Sequence, residues 1–211
     1  MSPEHLTRDE AFGQRRQLTS LDRLNTWVSG LAVRRMARLE GARFGDFGCG
    51  FEARFARSVL PLVDSAVLVD IALSDEVARL PRVTAIEGRV ESVLAELPDE
   101  SLDVIACLSV LEHLWRPEEV IAECHRLLAP GGTLLINVPS WFGKRILEFM
   151  SFRLDILPRD EMDDHKHYFA SRDLWPMLVS AGFSPSRIRC RPYKLATCTF
   201  GRARKNQEAT V

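Results

Sequence analysis

The sequence predicts a doubly wound α/β fold, a mostly parallel sheet with helices on both of its faces. Three observations carry that expectation. Runs such as Val104-Ile105-Ala106-Cys107-Leu108 and Leu134-Leu135-Ile136-Asn137-Val138 show no polar alternation, so both faces of those strands are buried. Strand-like and helix-like stretches alternate from residue 43 onward. A strand, a turn with paired glycines and a helix open the series, with Asp46-Phe47-Gly48-Cys49-Gly50 at the turn.

Taken in order, residues 1–20 are polar and irregular and read as an arm. From Leu21 to Leu39 the apolar residues recur at helical spacing, with Ser20 as the N-cap and Gly41 as the stop. Strands are expected at 43–47, 66–70, 82–86, 102–108 and 132–138, the last entered through Pro130-Gly131-Gly132. Helices are expected at 51–60, 73–80, 90–96, 117–128 and 171–181, the last capped by Ser171 and stopped by Gly182. Two further strands, near 185–191 and 194–201, pair antiparallel through Pro192-Tyr193, and Lys205 to Val211 reads as a tail. The chain divides into an N-terminal arm and helix (1–41), a ligand-binding core (42–140), an aromatic- and histidine-bearing insertion (141–170) and a C-terminal helix and hairpin (171–211).

Apolar residues make up 46% of the sequence and charged ones 27%, which suits a soluble globular protein. No apolar run approaches a membrane span, and Glu4, Asp9 and Glu10 interrupt any apolar leader, so a cytoplasmic location is expected. The five cysteines are scattered without a C-x-x-C pair, the pattern of reduced core residues. Residues 44–140 carry 7 basic against 16 acidic side chains. An acidic middle does not suit a nucleic-acid groove, so no nucleic-acid partner is expected.

Glycines at 48 and 50 let backbone approach a ligand that a Cβ would hold off. Some twenty residues on, Ala66-Val67-Leu68-Val69 ends in Asp70, where an acid that holds ribose hydroxyls is expected. The turn also reads Gly48-x-Gly50-x-x-Ala53, a dinucleotide fingerprint. Glu52 would then set a carboxylate beside a pyrophosphate, which is repulsive, so an NAD-dependent oxidoreductase is the weaker alternative.

Four segments together resemble the class I S-adenosylmethionine-dependent methyltransferases, in the branch of small-molecule, quinone and glycan-precursor methylases. They are Asp46 to Gly50, Val69-Asp70-Ile71, Ser101 to Ile105 continuing through Ser109-Val110-Leu111-Glu112-His113-Leu114, and Leu127 to Leu134. The resemblance covers 42–140 closely and 165–201 more loosely. It implies a Rossmann-like sheet of seven strands with an antiparallel final strand. It also implies S-adenosyl-L-methionine as cofactor, S-adenosyl-L-homocysteine as product, and cofactor contacts from Asp46, Gly48, Cys49, Gly50, Asp70, Ile71, Arg89, Val90, Leu108 and Ser109. Two residues depart from the family pattern: Glu52 stands where a third glycine is usual, and Arg89 where an acid usually accepts from adenine. A cofactor-binding protein without catalysis is therefore an alternative.

A small-molecule acceptor is expected, with anionic compounds and glycan or lipid precursors among the candidates; the sequence leaves the oligomeric state open. A DNA amino-methylase would need Asn or Asp followed by Pro-Pro-aromatic where Ser109-Val110-Leu111-Glu112 stands. A hydroxyl acceptor needs a base, and His165, His167 and His113 are the candidates, with Asp163 or Asp164 to orient a ring. Trp115, Trp141, Phe142, Phe149, Phe152 and Tyr168 supply aromatic surface for a lid. Asp163-Asp164-His165-x-His167 lacks a distant ligand set, so no metal is expected.

Overall fold

The computed structural model describes residues 20–148 and 165–207. The expected arm, the tail beyond 207, and Phe149, Phe152, Asp163 and Asp164 lie outside the described residues. The chain runs α1 (Ser20–Met36), β1 (Arg43–Phe47), α2 (Arg54–Val59), β2 (Ser65–Asp70), α3 (Asp75–Ala78), β3 (Val83–Glu87) and α4 (Val90–Val93). It continues through β4 (Leu102–Leu108), α5 (Pro117–Leu127), β5 (Leu128–Pro139), α6 (Trp141–Glu148), α7 (Ser171–Ser180), β6 (Ile188–Tyr193) and β7 (Cys198–Arg204).

The strands form one seven-stranded sheet in the order β3-β2-β1-β4-β5-β7-β6. β1 to β5 run parallel, and β7 lies antiparallel to both β5 and β6. Alternate residues of β4 enter opposite cores. Ile105 and Cys107 join Phe47, Leu134 and Ile136 beneath α5 and α7, whereas Val104 and Ala106 join Phe44, Leu68 and Leu135 beneath α1 and α2. Burial on both faces is why these strands carry unbroken apolar runs; each large side chain so buried stabilises by about 1.5–3 kcal/mol. The strand order reverses at β1, leaving a crevice between the carboxyl ends of β1 and β4.

α5 shows why the helix readings hold. Pro117 sits in its first turn beside Glu118 and Glu119, His125 and Arg126 lie in its last turn, and Val120, Ile121, Cys124 and Leu127 face the core. Arg126 then binds the Leu94 and Leu97 carbonyls as well as Glu123 and Asp99, tying α5 to the segment before β4.

Several boundaries move for local reasons. α2 begins at Arg54, not Phe51, because Ala53 takes a left-handed step (φ 43°) after the glycine turn. β5 begins at Leu128, before the glycines, with a register shift opposite Leu102–Val104. A Cβ at Gly132 would lie 2.9 Å from Ala129 O and 3.0 Å from Asp103 O, so the irregularity needs glycine. The last hairpin turns at Lys194–Thr197, beyond Pro192-Tyr193, which belong to β6 on the sheet edge where proline is tolerated. All five cysteines are free. No described helix is long and apolar enough to cross a membrane.

Candidate active site

The turn after β1 forms the floor of the crevice. Gly48 and Gly50 both have φ of +77°, and a Cβ at Gly48 would lie 2.1 Å from Val110 Cγ2. Glycine is required there by both backbone and space. The Gly48 and Cys49 amides donate to Val69 O at 2.8 and 3.2 Å, which fastens the turn to β2. Nothing lies within 4 Å of a Cβ built on Gly50, so that side of the turn is open to a ligand.

Asp70, at the end of β2, accepts from the Gly50 amide through Oδ2 at 2.7 Å and from the Ile71 amide through Oδ1 at 2.8 Å. With three amides donating to it, the carboxylate keeps acceptor capacity for a ligand hydroxyl. Burial raises the Asp70 pKa, and the amides of Gly50, Ile71 and Ala72 oppose that rise. Asp46, inside β1, is 2% exposed and its Oδ2 has no hydrogen-bond partner. Burial, then the charge of Asp70, pushes its carboxyl up to about 8. A buried acid with an unmade bond beside the glycine turn is suited to a cationic group of a ligand.

The remaining predicted contacts line the same edge. Leu108 ends β4, and Ser109 follows with φ 58°, exposed, its amide held by Asn137 O at 2.8 Å. Arg89 is the exposed N-cap residue of α4 with no side-chain cap bond, whereas Val90 is buried. Glu87, directly across from Asp70 on β3, accepts from the Leu73 amide at 2.8 Å.

On the other side of the β4 end, Lys166 and His167 amides donate to Glu112 O at 2.8 and 3.2 Å. That seam brings the His165 ring to 4.9 Å from the His113 ring. Glu112 is buried, and ligand atoms of Glu112, His113 and His165 all lie within 4.8 Å of one another, a spacing that a cation could occupy. This triplet is not the Asp163-to-His167 run weighed from sequence. Tyr168 Oη lies 3.4 Å from His165 Nδ1, and its ring meets Trp141 at 5.7 Å. His167 stands apart: its ring lies against Phe169 at 5.8 Å, with Nε2 buried and unbonded.

Residues 45–136 match the methyltransferase-domain family. Over those residues the chain is similar to S-adenosylmethionine-dependent methyltransferase domains. A ubiquinone biosynthesis O-methyltransferase of Bordetella avium is 25% identical over 185 residues, covering 81% of this chain and 72% of that protein. The same-named enzyme of Xanthomonas oryzae pv. oryzae is 35% identical over 107 residues, covering 47% of this chain and 44% of that protein. The matched part therefore spans less than half of the Xanthomonas relative. In fold, the domain resembles an S-adenosylmethionine-dependent methyltransferase from Mesorhizobium loti, with a TM-score of 0.64, 15% identity, and coverage of 85% of this chain and 97% of that one.

The methyltransferase domain's own residues fit its cofactor. The open glycine turn, the Asp70 carboxylate and the unbonded Asp46 oxygen offer a close approach, acceptor oxygens for hydroxyls and an acid that a cationic group would ionise. Asn137, buried at the end of β5 with an unbonded Oδ1, went unremarked from sequence. Its signal is present: it is the one polar residue inside Leu134 to Val138. In the sequence Glu112 is only one residue of the Ser109 to Leu114 segment, because its approach to His165 joins residues far apart in the chain.

Proposed function

We propose that this protein methylates a hydroxyl group of a small-molecule acceptor, with His113 and His165 taking the acceptor's proton. The observation that carries the proposal is the 4.9 Å approach of these two imidazoles beside Glu112, on the rim of the crevice that Gly48 shares with Val110. S-adenosylmethionine, when bound, supplies a methyl group already activated on a sulfonium. The protein's task is then alignment, exclusion of water and removal of one proton. Asp70 would hold the ribose hydroxyls and Asp46 the amino group. A neutral imidazole accepts a proton at neutral pH. Tyr168 beside His165 Nδ1 orients the ring. Trp141 and Tyr168, from the two ends of the 141–170 insertion, supply an aromatic wall for a lid over the acceptor. Relatives named for ubiquinone biosynthesis O-methylation support an oxygen acceptor on a small molecule.

The test is a screen of hydroxylated small molecules for methyl transfer, followed by His113→Ala and His165→Ala. Both variants should keep their affinity for S-adenosylhomocysteine within about twofold, and at least one should lower turnover by about 10²-fold, the usual contribution of a positioned base. Full turnover in both variants would remove the histidine pair from the mechanism.

A further inference from the structure

The turn joining β6 to β7 holds three consecutive non-glycine residues at positive φ: Lys194 at 49°, Leu195 at 56° and Ala196 at 66°. Left-handed backbone is unfavourable for residues bearing a Cβ, and glycine or asparagine ordinarily fills such places. Leu195 occupies the middle of this turn at 95% exposure, the most exposed large apolar side chain among the described residues. Neither local conformation nor burial explains a leucine there.

The turn has company. The Ser140 amide donates to Thr197 O at 2.9 Å, and Ser140 Oγ donates to Ala196 O at 2.5 Å. A Cβ at Gly143 would lie 2.0 Å from Thr197 O, so the start of α6 is pressed against the turn. From that anchored face α6 exposes Trp141, Phe142 and Ile146. Arg145 on α6 and Arg191 near the end of β6 are exposed as well. From Leu174 to Gln207 the sequence holds seven basic residues and no acidic one, and Arg191 stands four residues before Leu195; the nearest acid of the docking face is Asp173, which accepts from Trp141 Nε1 at 3.2 Å. None of Arg187, Arg189, Arg191, Arg202 or Arg204 forms an ion pair among the described residues.

We propose that the β6–β7 turn and α6 dock the protein onto an anionic phospholipid surface. Leu195 and Phe142 enter the boundary between headgroups and acyl chains, and Arg145 and Arg191 pair with lipid phosphates. Arginine suits phosphate because its planar fork donates two parallel hydrogen bonds. A projecting apolar tip with arginines behind it is the arrangement that binds an interface by area and charge together. Leu195 projects instead of lining a groove, which favours a fluid boundary over a shaped protein partner. The proposal goes beyond methyl transfer and does not depend on it.

The experiment is co-sedimentation of the full chain, without cofactor or acceptor, with vesicles of mixed phosphatidylglycerol and phosphatidylcholine and with pure phosphatidylcholine vesicles. Binding should require phosphatidylglycerol and weaken with added salt. Leu195→Glu should lower partitioning at least tenfold, and Arg145→Gln or Arg191→Gln about fivefold, near 1 kcal/mol for the one charge removed. Leu195→Gly separates docking from folding: it relieves the left-handed turn, so thermal stability should hold or rise while partitioning falls. Absence of binding to the anionic vesicles overturns the proposal, as does binding that Leu195→Glu and Leu195→Gly leave unchanged. A lipid-free dimer abolished by Leu195→Glu, without vesicle binding, would assign the tip to a second copy of the chain instead.

Discussion

The Gly50 amide donates to the Asp70 carboxylate at 2.7 Å, joining the turn after β1 to the end of β2. One bond thus sets the position of the glycine backbone and the direction of the acid at once. Asp70→Ala removes one of the turn's anchors and the proposed diol acceptor. Affinity for S-adenosylhomocysteine should fall by about 1–3 kcal/mol, the range for leaving buried polar partners unpaired. Calorimetry on variant and parent checks this, and an unchanged affinity would place the ribose elsewhere.

Asp46 gives a pH signature. Its carboxyl is pushed up to about 8 in the folded protein from an ordinary value near 3.8, by burial first and then by Asp70. The folded state therefore binds this proton where the unfolded state has released it. Stability from this group declines as pH rises from about 4 to about 8, then levels off. Asp46→Asn should flatten that decline in denaturant titrations across the window. A cationic ligand favours the ionised form, so cofactor binding near pH 7 should release a proton from the parent and not from Asp46→Asn. Calorimetry in buffers of different ionisation enthalpy measures that release.

Gly48 is constrained twice, by φ +77° and by the 2.1 Å approach of Val110 to any Cβ. Gly48→Ala should destabilise by roughly 2–4 kcal/mol, combining left-handed strain with overpacking. Adding Val110→Ala relieves only the steric part. The double variant should recover about 1 kcal/mol or more relative to the sum of the single changes, read from chemical denaturation.

Arg89 caps α4 with extended backbone and no side-chain bond to the helix amides. Arg89→Asp supplies a capping acceptor worth about 1 kcal/mol and an acid where the proposed cofactor site would hold adenine. Thermal stability should rise and affinity for S-adenosylhomocysteine should hold or improve. A tenfold loss of affinity would show that the arginine itself contributes to binding.

The core strands were legible in the sequence because burial on both faces leaves unbroken apolar runs, as in Val104 to Leu108 and Leu134 to Val138. The glycine turn and Asp70 were legible because a short loop and the next strand end hold a fixed distance in sequence. The entry to β5 was misjudged because its irregular register depends on Ala129 and Asp103 carbonyls around Gly132, which no local pattern records. The final hairpin was placed too early because three left-handed residues without a glycine carry no turn signal.

The sequence by itself determined the fold class, the alternation of strands and helices and the place of the glycine turn. These follow from periodicity and from motifs that act within a few residues of one another. Only the tertiary structure decided that His165 joins His113 and Glu112 while His167 turns to Phe169. That choice rests on the bonds from the Lys166 and His167 amides to Glu112 O, a contact across more than fifty residues of chain. Side-chain partners at such separations are set by how packed elements meet, and a linear pattern does not encode the meeting.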